Sequence, residues 1–285
     1  MGLVARLKTV IKDRVLTAPS PFFTPLFAQA DDRAVDAAVA QIHETAALDA
    51  GPLFARETCA AISREMDRAF SGARSEIRVS VSQKTGIGQV LNPLRLHFAL
   101  LEFGTHPLLL GILERYLRRR IFLADIDMRR VPPMTMEELD ERAGTKSVGY
   151  TSSHWHRDIR GRQVKIMIYL TDVGERDSNF AYVPRSHAGH QVRPLRMEDS
   201  RLSDAEVASL GAKPVECFGP AGTALVFDTN LIHRLRRKTG ATVRDSITYY
   251  STPGQELRTL DADPAALARL PQETRALFDG KRVTY

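Results

Sequence analysis

The sequence holds only two cysteines, Cys59 and Cys217, 158 positions apart and outside any Cys-x-x-Cys pair. That spacing excludes a disulfide scaffold and a cysteine-based zinc module, and it fits a reducing cytoplasm. Trp155 is the sole tryptophan, and no basic strand is interleaved with aromatics, so the stacking platform of a single-strand nucleic-acid binder is missing. No segment approaches the roughly 18 consecutive apolar residues of a membrane span. The N-terminus shows neither the apolar run nor the small-residue cleavage site of a secretory leader, and Arg6 stands where a myristoylation signal wants Ser or Thr. Internal repeats and low-complexity segments are absent too.

What is present is an ordinary globular composition: 285 residues, 43% hydrophobic and 26% charged. A single domain spanning 1–285 can bury about three-quarters of its unfolded surface. The net charge of +6 attracts an anionic partner but does not choose among phosphorylated metabolites, nucleic acid and acidic membrane. Residues 3–16 place Leu3, Leu7, Val10 and Val15 near one helical face and Arg6, Lys8, Lys12 and Arg14 mostly elsewhere. Such a basic amphipathic helix either packs on its own domain or makes peripheral contact with the inner face of a membrane.

The first 119 residues read as helical. Periodicity predicts helices near 31–50 and 54–71, the second burying Phe54, Cys59, Ile62, Met66 and Phe70, and a helix pair over 93–119 with a cationic end at Arg115 and 118–120. From about 120 to 255 the texture changes to short runs rich in Ile, Val, Phe, Tyr and Thr, at 121–131, 163–170, 179–184, 223–228 and 245–252. A helical insertion is expected near 201–211, and the segment 256–285 closes with a helix over 262–279. Helices first and strands later argue for a mainly antiparallel β core with flanking helices, most simply a jelly roll.

The chemistry concentrates in Ser153-His154-Trp155-His156-Arg157-Asp158 and, 75 residues after Asp158, in His233. On an extended stretch His156 and Asp158 project to one side, where a distant third ligand closes a triangle. Two imidazoles and a carboxylate on one face hold a non-haem Fe(II) and leave the other face open. Eleven residues beyond His233, Arg244 and Ser246 share a strand face, and a guanidinium fork beside a hydroxyl is a receptor for a carboxylate.

Over about 120–252 the pattern resembles the phytanoyl-CoA dioxygenase family of Fe(II)/2-oxoglutarate-dependent oxygenases. The family's Trp-His-x-Asp appears as Trp155-His156-Arg157-Asp158, its following strand as Val164–Asp172, its Asn-Gly…Pro-Gly-Ser-His segment as Ser178–His187, its distal histidine as His233 and its cosubstrate arginine as Arg244. Two glycines of that pattern are replaced, by Phe180 and Arg185. The resemblance implies a double-stranded β-helix of the cupin-like type. It implies iron on His156, Asp158 and His233, with 2-oxoglutarate held at its far end by Arg244 and Ser246. Oxidation with O2 would then yield succinate, CO2 and a hydroxylated product. An aspartate at 158, where a small residue would admit halide, favours hydroxylation or desaturation.

Further candidates come from alternation. Val164, Ile166, Ile168 and Leu170 are uniformly apolar and face the core, which turns Lys165, Met167 and Tyr169 toward a cavity. Lys165 is thus a candidate for a cosubstrate or substrate carboxylate. Asp127, Arg129, His154, Tyr169 and Arg185 are candidate substrate contacts, with His154 also an alternative metal ligand. Trp155 reads as a packing anchor. Basic residues (Arg157, Arg160, Arg162, Arg185, Arg193, Arg234, Arg236, Arg237, Lys238) suggest an anionic small molecule or a carrier- or lipid-linked metabolite, against the plainer reading of a solvated surface. The competing functions are a catalytically silent jelly-roll binding protein and the same iron chemistry on nucleic acid.

Overall fold

The computed structural model describes residues 32–143, 152–158, 163–187, 201–240, 242–252, 262–275 and 277; the amphipathic stretch 3–16 and Arg160, Arg162 and Arg193 lie outside them. Helix α1 (Asp32–Thr45) turns Val35 and Ile42 to the core. It ends at Ala46, in the left-handed region at φ 71°, and the chain becomes strand β1 (Ala47–Pro52). The helix expected through residue 50 therefore stops early. Gly51 and Pro52 are poor helix formers, and the backbone of this segment pairs with a strand far along the chain.

Helix α2 (Arg56–Phe70) buries Cys59, Ile62, Met66 and Ala69, close to the stripe its spacing predicts. Strands β2 (Val79–Val81) and β3 (Gly88–Val90), a 3-10 turn at Pro93–Arg95 and helices α3 (Ala99–Gly104) and α4 (Pro107–Leu117) follow. Pro107 in the first turn of α4 needs no amide partner, and Arg118 ends the helix in the left-handed conformation. Arg115 pairs with Asp32 and Asp36 of α1, so part of the basic run is answered by carboxylates as well as by the helix terminus.

The remainder runs β4 (Phe122–Val131), α5 (Met136–Ala143), β5 (Trp155–His156), β6 (Val164–Tyr169), β7 (Asn179–Tyr182), β8 (Arg201–Leu202), α6 (Asp204–Ser209), β9 (Val215–Cys217), β10 (Thr223–Asp228), β11 (His233–Arg236), β12 (Arg244–Thr252), α7 (Pro264–Leu267) and α8 (Gln272–Arg275). The insertion near 201–211 is part strand; its helix begins at a capping box in which Ser203 and Glu206 satisfy each other's backbone amides. The closing helix expected over 262–279 is two short turns, interrupted where Pro271 lacks an amide hydrogen.

Among the described residues the strands form two antiparallel sheets, ordered β1-β10-β6-β12-β4-β3-β2 and β8-β5-β11-β7-β9. This is the expected mainly β, jelly-roll core with flanking helices. Its first sheet is buried on both faces at its centre, as the burial of every residue of β6 and β10 shows. Val164, Ile166, Ile168 and Leu170 join Ile62, Met66, Leu109 and Leu113 in the main apolar cluster, whereas Met167 and Tyr169 join Phe180, Tyr182 and Phe227 in the cluster between the sheets. The strand register then extends the inner face: Ser246 lies opposite both Tyr169 and Arg129, Arg129 opposite Gln89, and Thr248 opposite Met167 and Asp127.

The Gly219–Gly222 turn launches β10. Gly222 has φ +96°, and a Cβ there would stand 2.1 Å from the carbonyl oxygen of Phe54. Gly222→Ala is expected to destabilise the fold by more than about 2 kcal/mol, through left-handed strain and backbone collision together; denaturant melts of the two proteins measure it.

Candidate active site

Strand pairing sets His156 of β5 directly opposite His233 of β11, with ring centroids 4.3 Å apart. Asp158 follows β5, its amide donating to the carbonyl of Thr229 at 3.0 Å. One carboxylate oxygen lies 3.8 Å from His156 Nε2, the other 3.8 Å from His233 Nε2, and the three ligand atoms fall within 4.8 Å of one another. His156 Nδ1 meets the carbonyl of His154 at 2.8 Å and His233 Nδ1 that of Leu231 at 2.9 Å. A carbonyl only accepts, so Nδ1 carries the hydrogen on both rings and Nε2 presents its lone pair.

The electrostatics agree with a metal-ligating role. Burial holds His156 below its ordinary value and, with the neighbouring His156 ring, pulls His233 down to about 3. Burial alone would raise the Asp158 carboxyl, but His233 and Lys165 reverse this and hold it below the usual carboxylate range. Two neutral imidazoles and one anionic carboxylate fit Fe(II). The unfolded chain takes up protons on these histidines near 6.5, whereas the fold resists uptake until about 3 at His233, so between those values the unfolded state binds more protons. The stability of the metal-free protein is therefore expected to fall with pH below about 6.5, by up to about 1.4 kcal/mol per unit for each histidine. Chemical melts between pH 7 and pH 4 check the sign.

Lys165 reaches the site as its alternation predicts, and its Nζ donates to Asp158 Oδ2 at 2.6 Å while lying 4.4 Å from the ring centroid of Tyr250. Phe180 and Phe227 pack on His233, at centroid distances of 5.7 and 5.3 Å. Phe180, conspicuous in the sequence only as a lost glycine, is thus part of an apolar wall behind a ligand. His154 contributes its carbonyl to His156 and its ring is not in the donor cluster. The alternative ligand is thereby set aside.

Arg244 is 5% exposed, and its Nε has no partner. Its guanidinium lies 5.9 Å from the Tyr169 ring centroid. Asp245 turns to the opposite face, where it takes Arg130 and Ser63. A buried guanidinium without a resident anion is costly, and Ser246, buried on the same strand face, adds a hydroxyl. The pair fits the far carboxylate of 2-oxoglutarate.

Asp127 and Arg129 form a 2.6 Å ion pair. Asp127 also accepts from Gln89 at 3.0 Å and from the Tyr250 hydroxyl at 3.3 Å, and Arg129 donates to Ser152 Oγ at 3.2 Å. Gln89 and Tyr250 escaped the sequence reading. Tyr250 shares the strand face of Arg244 and Ser246, a signal that alternation carried, whereas Gln89 sits on a three-residue strand without one. Tyr169 is a brace and not a free contact: its hydroxyl donates to the carbonyl of Cys217 at 3.0 Å and accepts from the Phe180 amide at 3.1 Å, tying the sheets together.

A model of the phytanoyl-CoA dioxygenase (PhyH) family matches residues 46–246. The chain belongs to the phytanoyl-CoA dioxygenase family. Like that family, it is a non-haem iron- and 2-oxoglutarate-dependent oxygenase. Curated proteins offer no sequence match. Solved structures of similar fold include the non-haem α-ketoglutarate-dependent epimerase SnoN of nogalamycin biosynthesis, with TM-score 0.57 and 14% identity over 79% of this chain and 84% of that one. The carbocyclase SnoK of the same biosynthesis has TM-score 0.57 and 15% identity over 87% and 94%. HygX from Streptomyces hygroscopicus, solved with nickel and 2-oxoglutarate, has TM-score 0.52 and 16% identity over 80% and 92%.

In this PhyH protein the Pro184–His187 turn supports the ligands from behind. Ser186 Oγ accepts from the amide of Ile232 at 2.8 Å, and its carbonyl accepts from Arg157. Arg185 pairs with Glu44 at the surface and His187 meets the carbonyl of His43, so Arg185 is not among the side chains gathered around the triad. Its φ of 62° is the left-handed conformation the family's glycine supplies. Arg185→Gly relieves that strain and loses an exposed pair of little worth. It is expected to leave iron binding unchanged and the melting temperature equal or higher, as thermal scans would register.

The surface cations are largely answered. A groove of about 870 Å³ is lined by Arg176, Arg234, Arg236 and Lys238; Arg234 pairs with Asp204, and Arg236 and Lys238 with Glu216. Trp155 is the packing anchor expected, its Nε1 donating to Asp204 and its face covered by Arg234 at 4.2 Å. No helix among the described residues is long and apolar enough to cross a membrane.

Proposed function

We propose that this oxygenase hydroxylates an anionic small molecule, or a carrier- or lipid-linked metabolite with an anionic group, converting 2-oxoglutarate to succinate and CO2. The observation that carries the reaction class is the closed His156, Asp158, His233 cluster beside a buried Arg244 that lacks an anion. When bound, iron with 2-oxoglutarate and O2 supplies an oxidant able to remove hydrogen from an unactivated C–H bond. The chain's own residues do the rest. The carbonyls of His154 and Leu231 fix both ligand tautomers, Lys165 orients Asp158, Arg244 with Ser246 sets the reach of the oxo acid, and Phe180 and Phe227 keep water from His233.

The charge of the inner wall supports an anionic substrate. Arg129 pairs with Asp127 and Lys165 with Asp158, whereas Arg237 and Arg244 are buried without an ion pair among the described residues. Ferrous iron and the 2-oxoglutarate dianion cancel one another, and Arg129, whose side chain stays one-third exposed beside Asp127, is a cation left open toward a substrate. The Asp127, Arg129 and Gln89 cluster offers it both donors and an acceptor. The test is a turnover screen following succinate release, with acyl-CoA, sugar-acid and amino-acid candidates beside neutral analogues. Stimulation by anionic members only is expected, and equal stimulation by neutral analogues would overturn the substrate class. Anaerobic Fe(II) with 2-oxoglutarate should give a weak visible charge-transfer band, and its absence in folded protein overturns the reaction itself.

A further inference from the structure

Arg244 is not the only buried guanidinium without an anion. Arg237 is 4% exposed, and neither its Nε nor its Nη1 has a partner. Its Nη2 donates to the carbonyl of Thr85 at 2.6 Å and touches Met134 Sδ at 3.2 Å, both uncharged. No ion pair to Arg237 or Arg244 forms among the described residues. Burial pulls Arg237 down to about 10, and Arg244 is next in opposing its charge, so the two cations lie within electrostatic reach of each other. Arg237 follows β11 two positions after Leu235 and four after His233, on the alternation that brings His233 inward. The amide of Met134 donates to the carbonyl of Lys238 at 3.2 Å, and Arg244 pairs with Val131, three residues before Met134, so the fold brings the two cations, each with an unpartnered N–H, to the same end of β4.

Two adjacent buried cations without a counter-ion are unstable company unless an anion joins them. A carboxylate has two oxygens and about four acceptor sites, enough for two guanidinium forks. We infer that Arg237 is a second cation for the distal carboxylate of 2-oxoglutarate, acting with Arg244 to select dicarboxylic over monocarboxylic oxo acids. The inference rests on the assignment of 2-oxoglutarate to this site. It leaves the iron ligands and the oxo-acid head group as they are, and it gives Arg237 a binding role that no sequence motif marks.

The experiment compares wild-type protein with Arg237→Gln and Arg237→Lys, loaded with Fe(II) under argon. 2-Oxoglutarate and 2-oxobutanoate, which has the same head and no distal carboxylate, are titrated in turn and read by the visible charge-transfer band. Quenching of Trp155, one residue from an iron ligand, reports metal binding independently. Arg237→Gln is expected to weaken 2-oxoglutarate by about 10-fold or more, with 2-oxobutanoate and Fe(II) affinity unchanged. Arg237→Lys, which keeps the charge and most of the volume, should fall between and serves if the glutamine variant misfolds. Unchanged 2-oxoglutarate affinity in a metal-competent variant overturns the proposal and leaves Arg237 to the basic groove it also borders. Parallel weakening of both oxo acids overturns it equally, as a structural role for the Thr85 contact. Failure of the wild type to bind 2-oxoglutarate at all would instead strike the assigned function.

Discussion

His233→Ala is expected to abolish ferrous binding, lowering metal affinity by about 1000-fold or more, beyond the 10- to 100-fold typical of losing a partner that only orients a ligand. The reason lies in the site's economy of donors. His156 and Asp158 sit on one short segment and leave the third position to a single residue of the opposite strand, and His154, two residues before His156, spends its carbonyl on the site and keeps its ring outside the donor cluster. Among the described residues no fourth His, Cys, Asp or Glu belongs to the cluster. Equilibrium dialysis with Fe(II) measures the loss, and the charge-transfer band should vanish with it. The apoprotein should remain folded, because the vacated volume borders Phe180 and Phe227, and circular dichroism separates loss of metal from loss of fold.

Arg244→Met should produce opposite signs in two measurements. Removing one partner of a desolvated charge pair typically costs about 2–5 kcal/mol of binding, so 2-oxoglutarate affinity should drop by roughly 30-fold to several thousand-fold. Without ligand, however, Arg244 is a buried cation lacking an anion, and burial already depresses its proton affinity. Replacing it by an apolar chain of similar length removes that penalty. The ligand-free variant should therefore melt at the same temperature as the wild type or higher, while 2-oxoglutarate no longer stabilises it. A variant that loses both stability and affinity would mean that Arg244 supports the fold and not the cosubstrate.

The parts of this site that sequence reveals are those bound to a period or a motif. Trp155-His156-Arg157-Asp158 with a distant His233 is a pattern of types and order, and Arg244 with Ser246 repeats on a strand face. Likewise the apolar alternation of 164–170 told inside from outside. What escaped depends on partners in space. β5 and β8 are two residues each, too short for a period, and 47–52 became strand because β10 needed a neighbour. Tyr169 faced inward as expected, yet its hydroxyl was taken by backbone groups at Cys217 and Phe180, which alternation cannot foresee. Arg237 looked like one more surface cation in a basic run, and only its burial sets it apart from Arg236 and Lys238.

The brevity of β5 reaches beyond catalysis. His156 belongs to a strand of two residues, paired on one side with the two residues of β8 and on the other with β11 through the single register His233↔His156. Few backbone bonds hold it, so in the apoprotein it belongs to the end of the stability scale that opens first. An iron ion held by His156, Asp158 and His233 would act there as a reversible cross-link. Amide deuterium exchange at Trp155 and His156 should slow by the ratio of free metal to its dissociation constant, making the metal-bearing strand a strongly ligand-sensitive part of the molecule.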